Sequence, residues 1–274
     1  MIRFPPAKIN LGLNVVRRRP DGFHELESVM WPIPWTDVLE AVIDPQLGTG
    51  QVVYTRSGLA VPGAAEADLC WKAAMRYQQE RALPGVRMHL HKAVPMGAGL
   101  GGGSSDAAHV LRLFNALCPD PLPHERLHAL AAELGSDCAF FLHDGPQLAR
   151  GRGEELRPID IDLKGHHLVV AMPPVHVSTA EVFRHCTPTG RSIDLPAILR
   201  STPPRAWGDQ VPNTLEAHVL QAHPLVAQAK ERLLQAGAVF AAMSGSGAAV
   251  FGLFEEAPPA IPWPPDHTVR VFAL

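Results

Sequence analysis

The sequence predicts an α+β fold built from two sub-domains. Three observations carry this: short segments of alternating polarity that read as strands, amphipathic helices between them, and a change of texture past about Gly153, where a second set of strands and helices begins. A chain of 274 residues with 46% apolar and 19% charged side chains is long enough for one large or two modest cores. Its 23 glycines and 27 prolines imply many turns around short elements.

Taken in order, Ile9 to Val15 alternates apolar with small or polar residues, as a strand with one buried face does. Arg17 to Gly22 is a turn signal, and strands are expected again over His24–Met30, Val38–Ile43 and Val52–Thr55. Asp68 stands where an N-cap belongs, ahead of a helix reaching about Arg81. Val86, Met88 and Leu90 alternate with Arg87, His89 and His91, a half-exposed strand of the antiparallel kind. Ala107, Val110, Leu111 and Phe114 mark one face of a helix, and Leu127, Leu130, Ala131 and Leu134 mark another over Pro123–Leu134. Beyond Gly153, strands are expected at Leu168–Met172, Ala248–Phe254 and Thr268–Phe272, with a helix over Leu225–Ala236.

Composition removes several classes of function. A net charge of −3 with interspersed signs gives no basic stripe for a phosphate backbone, which argues against nucleic acid as a partner. The opening residues lack the apolar stretch of a signal peptide, and no run approaches the ~20 apolar residues that span a bilayer. Cys70, Cys118, Cys138 and Cys186 form no CxxC pair and read as reduced thiols of a cytoplasmic protein.

The strongest chemical signal is the loop from Met96 to Asp106, with five glycines between positions 97 and 103, ahead of a helix. Glycines let backbone approach an anion, and a helix N-terminus adds unpaired N–H donors and a partial positive charge. The Walker pattern fails for want of a lysine after the glycines. GxGxxG matches at Gly97, Gly99 and Gly102, but the strand before it is half-polar and Asp120 lies between two prolines rather than at a strand end.

Pro95-Met96-Gly97-Ala98-Gly99-Leu100-Gly101-Gly102-Gly103-Ser104-Ser105 resembles the ATP loop of the GHMP kinases (galacto-, homoserine, mevalonate and phosphomevalonate kinases). Pro6-Ala7-Lys8-Ile9-Asn10-Leu11, Arg19 to His24 and Leu134 to Phe141 resemble blocks of the branch acting on 4-diphosphocytidyl-2-C-methyl-D-erythritol, and Ser244 to Gly247 the superfamily's late glycine motif. The resemblance implies GHMP-type sub-domains at 1–153, with the ATP loop and catalytic residues, and at 154–274, with the active site in the cleft between them. It implies ATP-dependent phosphorylation of the substrate's 2-hydroxyl, a step of the non-mevalonate isoprenoid pathway. Asp137 is then the base and Lys8 its partner. Lys92 and residues 95–105 would hold ATP, with Ser105 on Mg²⁺. Asn10, Phe23, His24, Thr179 and Phe183 would recognise the cytidine of a diphosphate-linked sugar alcohol. Phe23 stands where tyrosine is common, Asp106 where asparagine also occurs, and Asp68 where asparagine is expected near the adenine.

Rival readings remain. A GHMP-type kinase for another small alcohol such as homoserine or mevalonate shares the loop. His124-Glu125-Arg126-Leu127-His128 is a literal HExxH, the zinc-hydrolase signature, with Glu154 and Glu155 the nearest candidates for a third ligand. A nucleotide-binding module without catalysis would lack the Lys8 and Asp137 pair. GxSxG is absent, so a serine hydrolase is unsupported.

Overall fold

The structure is a computed structural model describing residues 1–274. Its strands are β1 (Ile2–Arg3), β2 (Pro6–Arg18), β3 (His24–Thr36), β4 (Val38–Ile43), β5 (Val52–Gly58), β6 (Val86–Lys92), β7 (Gln147–Arg150), β8 (Glu155–Pro158), β9 (His167–Met172), β10 (Phe240–Met243), β11 (Val250–Phe254) and β12 (Thr268–Ala273). Its α-helices are α1 (Leu69–Glu80), α2 (Gly102–Leu117), α3 (His124–Leu134), α4 (Thr179–His185), α5 (Leu195–Ser201), α6 (Glu216–Ala222) and α7 (Pro224–Gln235). No helix is long and apolar enough to cross a membrane, and all four cysteines are free.

Two compact units form, and they are not the two halves of the chain. One comprises Met1–Lys8, Pro32–Met96 and Gly101–Asp144; the other comprises Ile9–Trp31, Gly97–Leu100 and Gly145–Leu274. A division at residue 153 would fall in the turn of the antiparallel β7–β8 hairpin, whose strands pair from Gln147↔Pro158 to Arg150↔Glu155. The change of sequence texture there marks a hairpin, and the long strands β2 and β3 carry chain from one unit to the other.

The first unit holds the sheet β1-β4-β6-β5. β6 is antiparallel to β4 and parallel to β5, so only one of its neighbours matches the antiparallel expectation. Helix α2 turns Ala107, Val110, Leu111 and Phe114 fully inward, and Phe114 meets Tyr77 of α1 edge to face at 6.0 Å. Asp68 caps α1, accepting from the Cys70 N–H at 2.9 Å, and also accepts from the Tyr54 hydroxyl at 2.9 Å and pairs with Arg56 at 3.4 Å. The carboxylate is thus committed to the cap and its neighbours. The second unit carries the sheets β10-β11-β9-β12 and β2-β3-β7-β8. Val226, Ala229 and Leu233 of α7 pack with Val169, Ala171 and Val250 in its core.

One buried ion cluster fixes the layout of the first unit. Lys92, at the end of β6 and 1% exposed, donates through Nζ to Asp37, between β3 and β4, and to Asp106 of α2 at 2.7 Å. Asp37 Oδ1 also accepts from the N–H groups of Ala93 and Val94. Lys92, expected beside ATP, has these two acids as its protein partners. Its ammonium is enclosed between the side chains of Asp37 and Asp106. Burial, opposed by Lys92 and reinforced by the nearby Asp37, pushes the Asp106 carboxyl up to about 8.

This shift sets a pH signature. The folded protein keeps the Asp106 proton up to about pH 8, whereas an unfolded aspartate releases it near ~3.9. Unfolding between those values releases a proton, so this group's contribution to stability falls as pH rises through that window. Asp106→Asn keeps the shape and an acceptor for Lys92. The stability difference, parent minus variant, is expected to decline from about pH 4 to pH 8 and to be flat outside it. Urea unfolding of both proteins at several pH values measures it; a difference independent of pH would refute the protonated Asp106.

Candidate active site

The first turn of α2 emerges from the glycines themselves, five residues earlier than its apolar face begins. Gly101 at φ 69° is the N-cap and supplies no side-chain cap. The Ser105 N–H bonds the Gly101 carbonyl at 2.9 Å. The N–H groups of Gly102, Gly103 and Ser104 have no acceptor within the helix, and the first turn holds no acidic residue. This is an uncapped, positive helix end of the kind that takes phosphate.

Lys8 and Asp137 stand beside it in the same unit. A Cβ on Gly101 would lie 3.1 Å from Lys8 Cγ, so the lysine stem passes against the N-cap. Lys8 Nζ lies 3.4 Å from Asp137 Oδ2; the lysine is 3% exposed and the aspartate 33%. The pair joins residues far apart in sequence, as expected. Asp137 sits in the turn after α3, where the Cys138 N–H bonds the Gly135 carbonyl at 3.0 Å. Phe140 and Phe141, both buried and packed edge to face at 4.8 Å, fasten the following turn. The Cys138 thiol, beside the Ser104 hydroxyl, is pushed up to about 12 by burial and stays protonated.

The serines divide in a way the sequence did not show. Ser105 is fully buried and its Oγ has no hydrogen-bond partner, whereas Ser104 is half-exposed. His109 Nδ1 donates to the Ser105 carbonyl at 2.8 Å, and burial pushes this imidazole down to about 4, so the ring is neutral. Ser105, the hydroxyl expected at Mg²⁺, is the enclosed one of the two, and Ser104 the accessible one.

Residues 97–100 belong to the second unit. The Ala98 carbonyl accepts from the Ala249 N–H at 3.1 Å, and the Gly99 carbonyl accepts from Ser244 Oγ at 2.9 Å. A Cβ on Gly99 would lie 2.0 Å from the Ser244 carbonyl oxygen. The late motif Ser244 to Gly247 is thus a platform for the first half of the loop. Asn10 is drawn into it. Its Nδ2 donates to Ser28 Oγ at 2.8 Å, its Oδ1 accepts from Ser244 Oγ at 3.5 Å, and it is 2% exposed. Asn10, expected at cytosine, is thus enclosed between Ser28 and Ser244.

Elsewhere in the second unit the structure brings His24 and Phe183 together, ring centres 5.2 Å apart. Thr179, one turn before Phe183 on α4, is exposed, and its hydroxyl pairs with Ser246 Oγ at 2.8 Å. Phe23 is 52% exposed with the Arg152 guanidinium 5.0 Å over its ring. Burial, then Arg18, lowers His24, favouring the neutral imidazole. Sequence reasoning missed Arg152, whose only signal is its place between two glycines, and Asp37, which carried none.

The HExxH residues lie at the start of α3, where Glu125 is exposed. Glu154 is held by Arg152 at 3.2 Å in its own hairpin, and Glu155 is an exposed strand residue.

Residues 68–145 match the GHMP kinases N terminal domain and residues 199–261 the GHMP kinases C terminal domain. The chain is 42% identical over 256 residues to a 4-diphosphocytidyl-2-C-methyl-D-erythritol kinase of Parabacteroides distasonis, covering 93% of this chain and 92% of that protein. It is 44% identical over 254 residues to the protein of the same name from Bacteroides fragilis, covering 93% and 92%. A crystal structure of 4-(cytidine 5'-diphospho)-2C-methyl-D-erythritol kinase superposes with a TM-score of 0.79 at 36% identity, covering 93% of this chain and 91% of the other.

The N-cap generates a prediction. A side chain at Gly101 is strained by its φ of 69° and meets Phe141 Cζ at 3.0 Å as well as Lys8. Gly101→Val is expected to cost at least ~1–2 kcal/mol from the left-handed conformation alone and to raise the apparent KM for ATP. Denaturation and initial-rate kinetics on the folded variant check both; unchanged ATP binding would detach the N-cap from the nucleotide.

Proposed function

The chain belongs to the 4-diphosphocytidyl-2-C-methyl-D-erythritol kinase family of the GHMP kinases, and on that premise we propose how its residues transfer the γ-phosphoryl group of ATP to the substrate's 2-hydroxyl. The observation that carries the reading is the Lys8–Asp137 pair, 3.4 Å apart, beside an uncapped helix N-terminus in one unit.

Phosphoryl transfer asks the protein for positioning and charge neutralisation. The N–H groups of Gly102, Gly103 and Ser104 receive phosphate oxygens of ATP. Asp137 Oδ accepts the proton of the 2-hydroxyl. The hydroxyl oxygen forms a bond to the γ-phosphorus while the bond to the bridging β,γ-oxygen breaks, and ADP leaves with that electron pair. Lys8 orients the carboxylate and places a positive charge beside the moving group. Mg²⁺ bound with the triphosphate would neutralise charge on its oxygens, and the Ser104 hydroxyl and the Asp137 carboxylate are accessible hard oxygen donors that could hold it. Phe23, His24, Thr179 and Phe183 serve the cytidine: Phe23 and the His24–Phe183 pair as aromatic faces, Thr179 as a hydroxyl. Free thiols accord with a reducing compartment, and we place the enzyme in the cytoplasm.

The zinc-hydrolase reading of the HExxH segment gives way to relatives named as kinases over nearly the whole chain. The other-alcohol reading is tested directly. With MgATP in a coupled assay, the diphosphocytidyl alcohol is expected to be turned over far better than mevalonate, homoserine or galactose; equal turnover would leave only the superfamily assignment standing.

Asp137→Asn keeps the shape and removes the proton acceptor. A fall in kcat of about 10²–10⁴-fold is expected, the usual worth of a general base, with little change in ATP affinity. Lys8→Met is expected to depress kcat as well, and the double variant to be non-additive. A folded Asp137→Asn enzyme with near-parental kcat would show that another group takes the proton.

A further inference from the structure

Three imidazoles converge in the first unit at a place the kinase chemistry does not use. His124 and His128 stand one turn apart on the same face of α3. His143 follows the short helical turn Ala139–Leu142, and its ring centre lies 5.4 Å from that of His124 and 5.5 Å from that of His128. The rings of His124 and His128 are 6.4 Å apart. Two histidines sharing one zinc, with Zn–N bonds of about 2.0–2.1 Å and tetrahedral angles, have ring centres roughly 5 Å apart.

Orientation supports the same reading. A ring nitrogen offers its lone pair in the ring plane, so rings that share an ion need intersecting planes. His143 is inclined by 67° to His124 and by 69° to His128. The group Glu181, His185 and His218 makes the contrast: its ligand atoms lie within 4.8 Å of one another, but His185 and His218 are stacked at 4.4 Å with their planes only 10° apart. Nearly parallel planes do not meet at one ion.

The third ring also has an unmet need. His143 Nε2 is buried and has no hydrogen-bond partner, a cost that a bound ligand removes.

We propose that His124, His128 and His143 form a site for a borderline transition-metal ion, zinc above all, completed by water. Imidazole donors suit zinc rather than the oxygen-seeking magnesium of the phosphoryl chemistry. Closing the three nitrogens on one ion takes rotation of an exposed and two half-buried side chains. The site sits in an informative place. His124 and His128 precede Asp137 on α3, and His143 follows it, so a bound ion ties together the two ends of the segment that carries the carboxylate. The HExxH spacing then supplies two ligands of a structural staple, with Glu125 outside it.

The test uses the full chain, freed of metal by chelation and then loaded with Zn²⁺ or Co²⁺. One equivalent of Zn²⁺ per chain is expected by elemental analysis after gel filtration, a tetrahedral Co²⁺ absorption band, and a rise in Tm on adding Zn²⁺. His124→Gln, on the exposed first turn, and His143→Gln are each expected to weaken zinc by at least about tenfold, the smallest loss seen when even a ligand's outer partner is disturbed, and to abolish the rise in Tm. Circular dichroism confirms that each variant is folded; His124→Gln suffices if His143→Gln is not. No saturable zinc binding, zinc binding indifferent to His124→Gln, or binding lost only in His218→Gln would each overturn the site.

Discussion

The enclosed ammonium of Lys92 is the constraint on which the first unit is built. It joins the end of β6, the β3–β4 junction and the second turn of α2 through Asp37 and Asp106, neither of which has another cationic partner. Removing Lys92 or Asp37 strands the other as a buried charge, at a cost of about 3–5 kcal/mol. Asp37 also receives two backbone N–H groups just before the glycine loop. The course of the chain into the loop and the start of the helix leaving it are therefore fixed by the same three side chains. Gly102 lies on top: a Cβ there would come 3.0 Å from Lys92 Nζ. The cation is thus paired inside the fold, while the helix N–H groups at Gly102 to Ser104 lack acceptors within the helix.

Elements with a sustained period were legible in the sequence, and those without were not. The apolar stripes of α2, α3 and α7 and the alternation in β4 and β6 appear where expected. The missed helices α4, α5 and α6 have seven residues each, two turns at most, too few for a repeat to show. β7, β8 and β10 have four residues each and owe their existence to a partner strand. The start of α2 was hidden because glycine has the lowest helix propensity short of proline, so packing rather than propensity places those residues in a helix.

Site residues divide along similar lines. Lys8 and Asp137 were legible through blocks of sequence and meet as those blocks implied. The partners of Lys92 and Asn10 were not legible, because position near a motif says nothing about which groups a side chain meets. Each is taken by polar groups distant in sequence: Asp37 for Lys92, Ser244 for Asn10. A charged or amide group that must be buried finds partners inside, and only the fold shows them. His143 is the opposite case. The HExxH spacing announced two rings, and the third comes from the turn that brings the chain back past Asp137.

The glycines of the loop do not all have the same reason to be glycine. At Gly99 the Ser244 carbonyl leaves no room, at Gly101 the backbone is left-handed and Phe141 and Lys8 crowd the site, and at Gly102 the Lys92 ammonium is close. Gly97 needs its φ of 67° even though only His176 lies within 4 Å. Gly103 has none of these excuses. It is inside the first turn of α2, its φ is not positive, and a Cβ would meet nothing nearer than Met96 Cε at 3.8 Å. Alanine would fit there and would favour the helix by about 0.5–1 kcal/mol. No protein atom demands a glycine at that point. A bare backbone there would give an anion on the free N–H groups of the same turn its closest approach. The residue with the least structural need to be glycine thus lies on the open face of the helix end, where the proposed nucleotide would sit.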